Sequence, residues 1–221
     1  MKIQRCALLS VYEKREEDIC RFAEELVALG WQIIASPGTY AFLKNFSTVP
    51  KKALQSVERV THFPPLLDHQ VVTLHPAIHA GLLATPDQAL FIQRMGWPYI
   101  DLLYSTLYPL EQTIQDPRMQ PEDVRQQTDI GGPTALRAAA KGRKIIVTDK
   151  ESATRTLEWL KRREPDSELF RLACAAGAER MAEQYSRISA EHLEALLNEL
   201  PEKINVVDLF GDEMQPPKAG E

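Results

Sequence analysis

The stretch CALLSVYEKREEDICRFAEELVALGWQIIASPGT, residues 6–39, reads as strand, helix, strand. Its first part, CALLSV (6–11), is a short apolar run of the kind a strand buried on both faces requires. Then Ile19, Phe22, Ala23, Leu26 and Leu29 recur at helical spacing inside EEDICRFAEELVALG, and Gly30 stops the helix. WQIIASPGT (31–39) is a second strand running into a turn. A strand, a crossover helix and another apolar strand predict a parallel pair.

The same alternation continues outward. YAFLKNF (40–46) is a short helix, ALQSVERVT (53–61) a weaker strand candidate, and DQALFIQRMG (87–96) helical. IDLLYSTLYP (100–109) is the clearest central strand. GPTALRAAAKG (132–142) is a helix with Gly132 and Pro133 at its start and Gly142 at its end, where such residues suit helix termini. RKIIVTD (143–149) is another buried strand, followed by the helix SATRTLEWLKRR. From Ser167 to Leu200 the pattern is helical almost throughout. The expected fold class is α/β: a parallel sheet flanked by helices on both faces, with a helical C-terminal segment. Residues 1–200 form the expected domain and 201–221 a polar, Pro-containing C-terminal tail.

Bulk properties narrow the function classes. Of 221 residues, 44% are hydrophobic and 26% charged, the balance of a globular domain able to bury a core. A formal net charge of −5 argues against a general nucleic-acid binder, which needs a basic surface. The three cysteines, Cys6, Cys20 and Cys174, are far apart and odd in number, as expected of buried thiols in a reducing compartment. No apolar run approaches the about 18 residues of a membrane span, and a cytoplasmic protein is expected.

In a sheet of this kind, ligands sit beyond the carboxyl ends of the strands. The loops to inspect are SVYEK (10–14), SPGTY (36–40), TLHP (73–76), STLYP (105–109) and TDIGGPT (128–134). SPGT combines a glycine that allows close backbone approach, the hydroxyl of Thr39 and a helix start, which together suit an anion. Taken alone it is equally an ordinary strand–turn–helix with a Gly-Thr cap. TLHP repeats the device with Thr73. Tyr108 closes the central strand as a phenol able to donate or accept, or simply to pack. Asp129 precedes Gly131, Gly132 and a helix start, with Lys141 further along that helix. A carboxylate and an ammonium there suit amide chemistry, and a salt-bridged cap equally well.

VVTLHPAIHAGLLA (71–84) carries His75 and His79 at a spacing that suits two metal ligands on a helix. No glutamate follows His75 and no third ligand is evident, so no metal is expected. One histidine is expected to cap or pack and the other to border the crevice.

Together, LLSVYEK (8–14), GTYAFL (38–43), VTLHPAIHAGLLA (72–84), IDLLYSTLYPLEQTI (100–114), DIGGPTALRAAAKG (129–142) and IIVTD (145–149) closely resemble the IMP cyclohydrolase domain of the bifunctional purine-biosynthesis proteins PurH. That family has the methylglyoxal-synthase-like fold and is usually homodimeric. The resemblance implies ring closure of a formylated aminoimidazole carboxamide ribotide to IMP with loss of water, using no cofactor and no metal. It implies phosphate binding by Lys14, Gly38, Thr39 and Thr73, with Ser10, Ser36, Thr106, Gly131 and Gly132 completing the substrate site. Tyr108, Asp129 and Lys141 would serve the chemistry, Asp129 orienting the amide and Lys141 or Tyr108 stabilising the oxyanion. The family's larger formyltransferase domain has no match in these residues, so a separate formyltransferase is an expected partner.

The departures fall on the ligand loops. Where the family has RVKTLHP this chain has QVVTLHP, so Gln70 replaces an arginine and Val72 a lysine. STGGT becomes ASPGT, with Pro37 removing an amide donor. Tyr12 stands where a small hydroxyl residue is usual, and Thr106 where NLYP has asparagine. Three expectations follow: a cyclohydrolase acting on the usual nucleotide, a divergent enzyme acting on a modified or less phosphorylated purine-like substrate, or a non-catalytic nucleotide-binding relative.

Overall fold

The computed structural model describes residues 3–67 and 69–199. The tail expected at 201–221 lies outside them. Five strands, β1 (Cys6–Ser10), β2 (Gln32–Ala35), β3 (Leu54–Ser56), β4 (Ile100–Ser105) and β5 (Ile145–Val147), form one parallel sheet in the order β3-β2-β1-β4-β5. The helices are α1 (Arg21–Ala28), α2 (Pro37–Phe46), α3 (Val57–Thr61), α4 (Pro76–Leu83), α5 (Ala89–Arg94), α6 (Leu110–Gln115), α7 (Pro121–Gln126), α8 (Gly131–Lys141), α9 (Lys150–Lys161) and α10 (Ser167–Glu199).

Strand side chains alternate between two apolar layers, which is why the central residues of β1, β2, β4 and β5 are apolar. Ala7, Leu9, Ile33, Ala35, Leu102 and Tyr104 face α1, α2 and α9, meeting Phe22, Leu26, Leu43, Leu157 and Leu160. Cys6, Leu8, Ile34, Leu103 and Ile146 face the other way, onto Ile78 and Leu82 of α4, Leu136 and Ala139 of α8, and Ala175 and Ala178 of α10. The α/β sandwich with a long C-terminal helix is the expected architecture.

Between β1 and β4 the register moves from Cys6–Ile100 to Ala7–Leu102, leaving Asp101 as an extra residue. Its carboxylate, 6% exposed, takes Arg5 at 2.9 Å and Arg171 at 2.8 Å. Arg171 belongs to α10, so this pair ties the long helix to the amino edge of the sheet.

Several boundaries differ from expectation. The strand candidate 53–61 holds only the three-residue edge strand β3; Ser56 then caps α3, its hydroxyl accepting the Arg59 amide at 3.3 Å. Within SPGT, Ser36 is the N-cap and Pro37, Gly38 and Thr39 already form the first turn of α2. Helix α1 is entered through a π-turn, Glu16–Cys20. Residues 110–126, which carried no helical expectation, contain α6 and α7. Among the described residues no helix is long and apolar enough to cross a membrane.

Candidate functional site

The carboxyl ends of β1, β2 and β4 open into a cavity of about 580 Å³. Loops far apart in the chain meet there: Ser10 to Lys14 after β1, Ser36 to Gly38 after β2, Thr106 and Tyr108 after β4, and Thr128 to Gly132 before α8. The loop ahead of α4 adds His69, Gln70, Val72 and Thr73. Thr106 locks two of these loops together, because its amide donates to the Ser10 carbonyl at 3.2 Å and its hydroxyl accepts the Tyr12 amide at 2.7 Å.

One end carries positive charge. Lys14 Nζ donates to the Tyr12 carbonyl at 2.9 Å and lies 3.6 Å from where a Cβ on Gly38 would stand. Its ammonium thus sits over the first turn of α2, whose free amides carry partial positive charge. Burial pushes the Lys14 pKa down. Two positive features facing one space favour a negative group between them.

The other end holds a carboxyl. Asp129 Oδ1 accepts the Gly132 amide at 2.8 Å. Burial pushes the Asp129 pKa up, and the amides of Gly132, Tyr108 and Gly131 pull it part of the way back. The Tyr108 phenol is also raised, first by burial, then by the nearby negative charge of Asp129 and by Tyr12. A carboxyl of enhanced basicity therefore stands beside a phenol that keeps its proton. Space is tight at both glycines: a Cβ on Gly132 would come within 2.5 Å of Asp129 Oδ2, and one on Gly131 within 3.1 Å of Thr73 Oγ1.

Tyr12, Gln70, Gln126, Gln127, Thr128 and Ile130, none of them among the expected site residues, also line the walls. Tyr12 and Tyr108 pair with ring centroids 5.0 Å apart, making an aromatic side. Gln70 donates to Gln126 at 2.5 Å, bridging the loop before α4 to α7 across the mouth. Gln127, Thr128 and Ile130 complete that rim. Gln126 and Gln127 lie just ahead of the TDIGGPT loop.

Ten of the twelve expected site residues, Ser10, Lys14, Ser36, Gly38, Thr73, Thr106, Tyr108, Asp129, Gly131 and Gly132, line this cavity. Two do not. Thr39 is fully buried, and its hydroxyl accepts the Val11 amide at 3.1 Å and the Ser36 hydroxyl at 3.2 Å while donating to the Val11 carbonyl at 3.3 Å. It clamps two loops instead of facing a ligand. Lys141 is exposed at the last turn of α8, and helical rise carries it about 15 Å from the Gly131 end. Within one chain it does not line the cavity.

The histidines also separate. His75 caps α4, its Nδ1 accepting the Ala77 amide at 3.1 Å. His79 is half-buried with its pKa pushed down by burial, and it lies outside the cavity lining, contrary to expectation. Among the described residues no three His, Cys, Asp or Glu side chains gather as metal ligands would.

Comparison with known proteins places the chain in a family and a fold. The family model described as MGS-like domain matches residues 18–134. The bifunctional purine biosynthesis protein PurH of Listeria welshimeri is 38% identical over 204 residues, covering 90% of this chain and 39% of that protein. PurH of Caldicellulosiruptor saccharolyticus is 42% identical over 143 residues, covering 63% and 27%, and PurH of Streptococcus thermophilus 36% identical over 223 residues, covering 97% and 41%. The chain thus spans roughly two fifths or less of these relatives. The crystal structure of ForH superposes with a TM-score of 0.68 at 29% identity, covering 86% of this chain and 99% of that one.

Proposed function

The chain belongs to the MGS-like domain family, and from that membership we propose that its cavity binds a purine-like ribonucleotide and closes the second ring of the base. The reaction proposed is that of IMP cyclohydrolase. The carboxamide nitrogen of a formylated aminoimidazole carboxamide ribotide attacks the formyl carbon, giving up one proton. The formyl oxygen takes up a proton to give a cyclic carbinolamine. Its hydroxyl then leaves as water with the proton of the formamide nitrogen, and IMP results. A formyltransferase activity would make the formylated substrate.

The observation that carries this reading is the pairing of Asp129 with Tyr108 at one end of a cavity whose other end holds Lys14 over α2. An amide is a weak nucleophile, so a positioned base helps, and a carboxyl with a raised pKa is a better proton acceptor than an exposed one. A protonated phenol donates a hydrogen bond to the oxygen on which charge develops. Holding the phosphate at Lys14 and the base at Asp129 restricts a flexible substrate to attack geometry.

The direct test is the absorbance change as the formylated ribotide becomes IMP. Turnover by the wild-type chain and its loss in Asp129→Asn are expected; no turnover by the wild type overturns the reading.

One observation favours a second reading. Among the described cavity-lining residues Lys14 is the only lysine or arginine, and Val72, Gln70 and Pro37 occupy the ligand loops. A single cation gives a phosphate dianion few charge-assisted hydrogen bonds, each worth about 1.5–3 kcal/mol. On this reading the substrate is a modified or less phosphorylated purine-like compound. Tighter binding of a nucleoside than of its monophosphate would select it.

A further inference from the structure

Tyr185 sits on α10, behind the Asp129 loop and outside the cavity, and the proposed chemistry makes no use of it. Its side chain is 8% exposed and packs with Leu110 and Val124, against Leu107, Ile114 and Ile188. The ring therefore lies where α6, α7 and α10 meet. Its hydroxyl accepts the Asp129 amide at 2.8 Å and reaches the Gln127 carbonyl at 3.5 Å. One phenol thus closes both ends of the three-residue segment 127–129.

The consequence is directional. From the cavity side Asp129 is held through its carboxylate, by the Gly132 amide at 2.8 Å. From behind it is held through its own N–H, by Tyr185. Fixing the peptide on one side and the carboxylate on the other leaves the side chain little freedom. The segment between α7 and α8 contains no regular structure to provide that restraint itself. We propose that Tyr185 is a positioning residue for the ring-closing site, so that the C-terminal helix sets the direction of the Asp129 carboxylate although it contributes nothing to the cavity wall.

This rests on the reading that Asp129 is the proton acceptor, and the experiment separates the two. The Asp129 carboxyl is titrated by NMR in the ligand-free protein, its resonance assigned by loss in Asp129→Asn, in the wild type and in Tyr185→Phe. The titratable groups facing it are Tyr108 and Tyr185 itself, both raised, the latter to about 12, so neither titrates in the same window. Removing the hydroxyl is expected to loosen the carboxylate from the Gly132, Gly131 and Tyr108 amides that pull its pKa down. The midpoint then moves up, and the acidic limb of the kcat profile moves with it. A fall in kcat between about ten- and a hundred-fold is expected, with KM little changed. An unchanged carboxyl midpoint in folded Tyr185→Phe overturns the inference. Absence of turnover in the wild type would instead overturn the ring-closure reading and leave the titration to decide this one. Should Tyr185→Phe not fold, hydrogen exchange of the Asp129 amide in the wild type decides: slow exchange is expected, and exchange as fast as an open loop overturns the proposal.

Discussion

Gly132 gives its amide to Asp129 Oδ1 at 2.8 Å and leaves no room for a side chain, since a Cβ there would stand 2.5 Å from Oδ2 and 2.4 Å from Leu107 Cδ2. The obstructing atoms belong to the side chains of Leu107 and Asp129, so these are displaced rather than the backbone. Gly132→Ala is therefore expected to fold, while Asp129 swings off its amide partners. A displacement near 1 Å in a catalytic group costs about a hundred-fold in rate. Turnover of Gly132→Ala close to that of wild type, with thermal stability unchanged, would show that the carboxylate position does not matter.

Lys14 supplies the side-chain cation at the α2 end of the cavity. Replacing it with methionine keeps the bulk and removes the charge. Affinity for a purine monophosphate is expected to fall by about ten- to a hundred-fold, the worth of one charge-assisted hydrogen bond, and that for the corresponding nucleoside to stay level. Because burial lowers the Lys14 pKa, monophosphate affinity should also decline with rising pH sooner than an ordinary lysine would allow. Calorimetric titration of both ligands against both proteins checks this; equal losses for nucleoside and monophosphate would place the phosphate elsewhere.

Thr39 is a stability residue by its geometry. Valine has nearly its shape but no hydroxyl, and would leave the buried amide and carbonyl of Val11 without their partner. Thr39→Val is expected to lower unfolding stability by about 1–3 kcal/mol, read from the denaturant midpoint. A midpoint at the wild-type value would mean that solvent reaches Val11.

These corrections show which parts of the molecule the sequence discloses. Strands β1, β2, β4 and β5 are legible because both faces are covered, so at least three consecutive apolar residues run through each. β3 is only three residues long at the sheet edge, and the β-branched Val57, Val60 and Thr61 after it imitate a strand although Ser56 caps a helix there. Helices α6 and α7 have six residues each, too few to show a periodicity. At the site, the strand-end loops converge as expected of this architecture. Burial is what spacing conceals: Thr39 and Thr73 look alike in sequence, but one hydroxyl is consumed by Val11 and the other residue lines the cavity. Lys141 is set apart from Gly131 because ten residues of helix separate the two ends of that motif within one chain.

Lys144, outside the site, yields a prediction about pH. It is fully buried, donating to the Ala84 carbonyl at 2.6 Å with its ammonium 3.9 Å from the centre of the Tyr99 ring. Burial pushes its pKa down to about 8, with Asp101 opposing that shift and Arg171 adding to it. Below about pH 8 the folded and unfolded chains both carry the proton. Between about 8 and the ordinary 10.5 the unfolded chain holds it and the folded chain does not, so stability rises with pH across that window. The full gain is about 3 kcal/mol. Lys144→Met lacks the titration and shares every other group. Denaturant unfolding of both proteins from pH 7.5 to 10.5 should therefore show the wild type gaining on the variant as pH rises; a constant difference would mean that the folded lysine keeps its proton throughout.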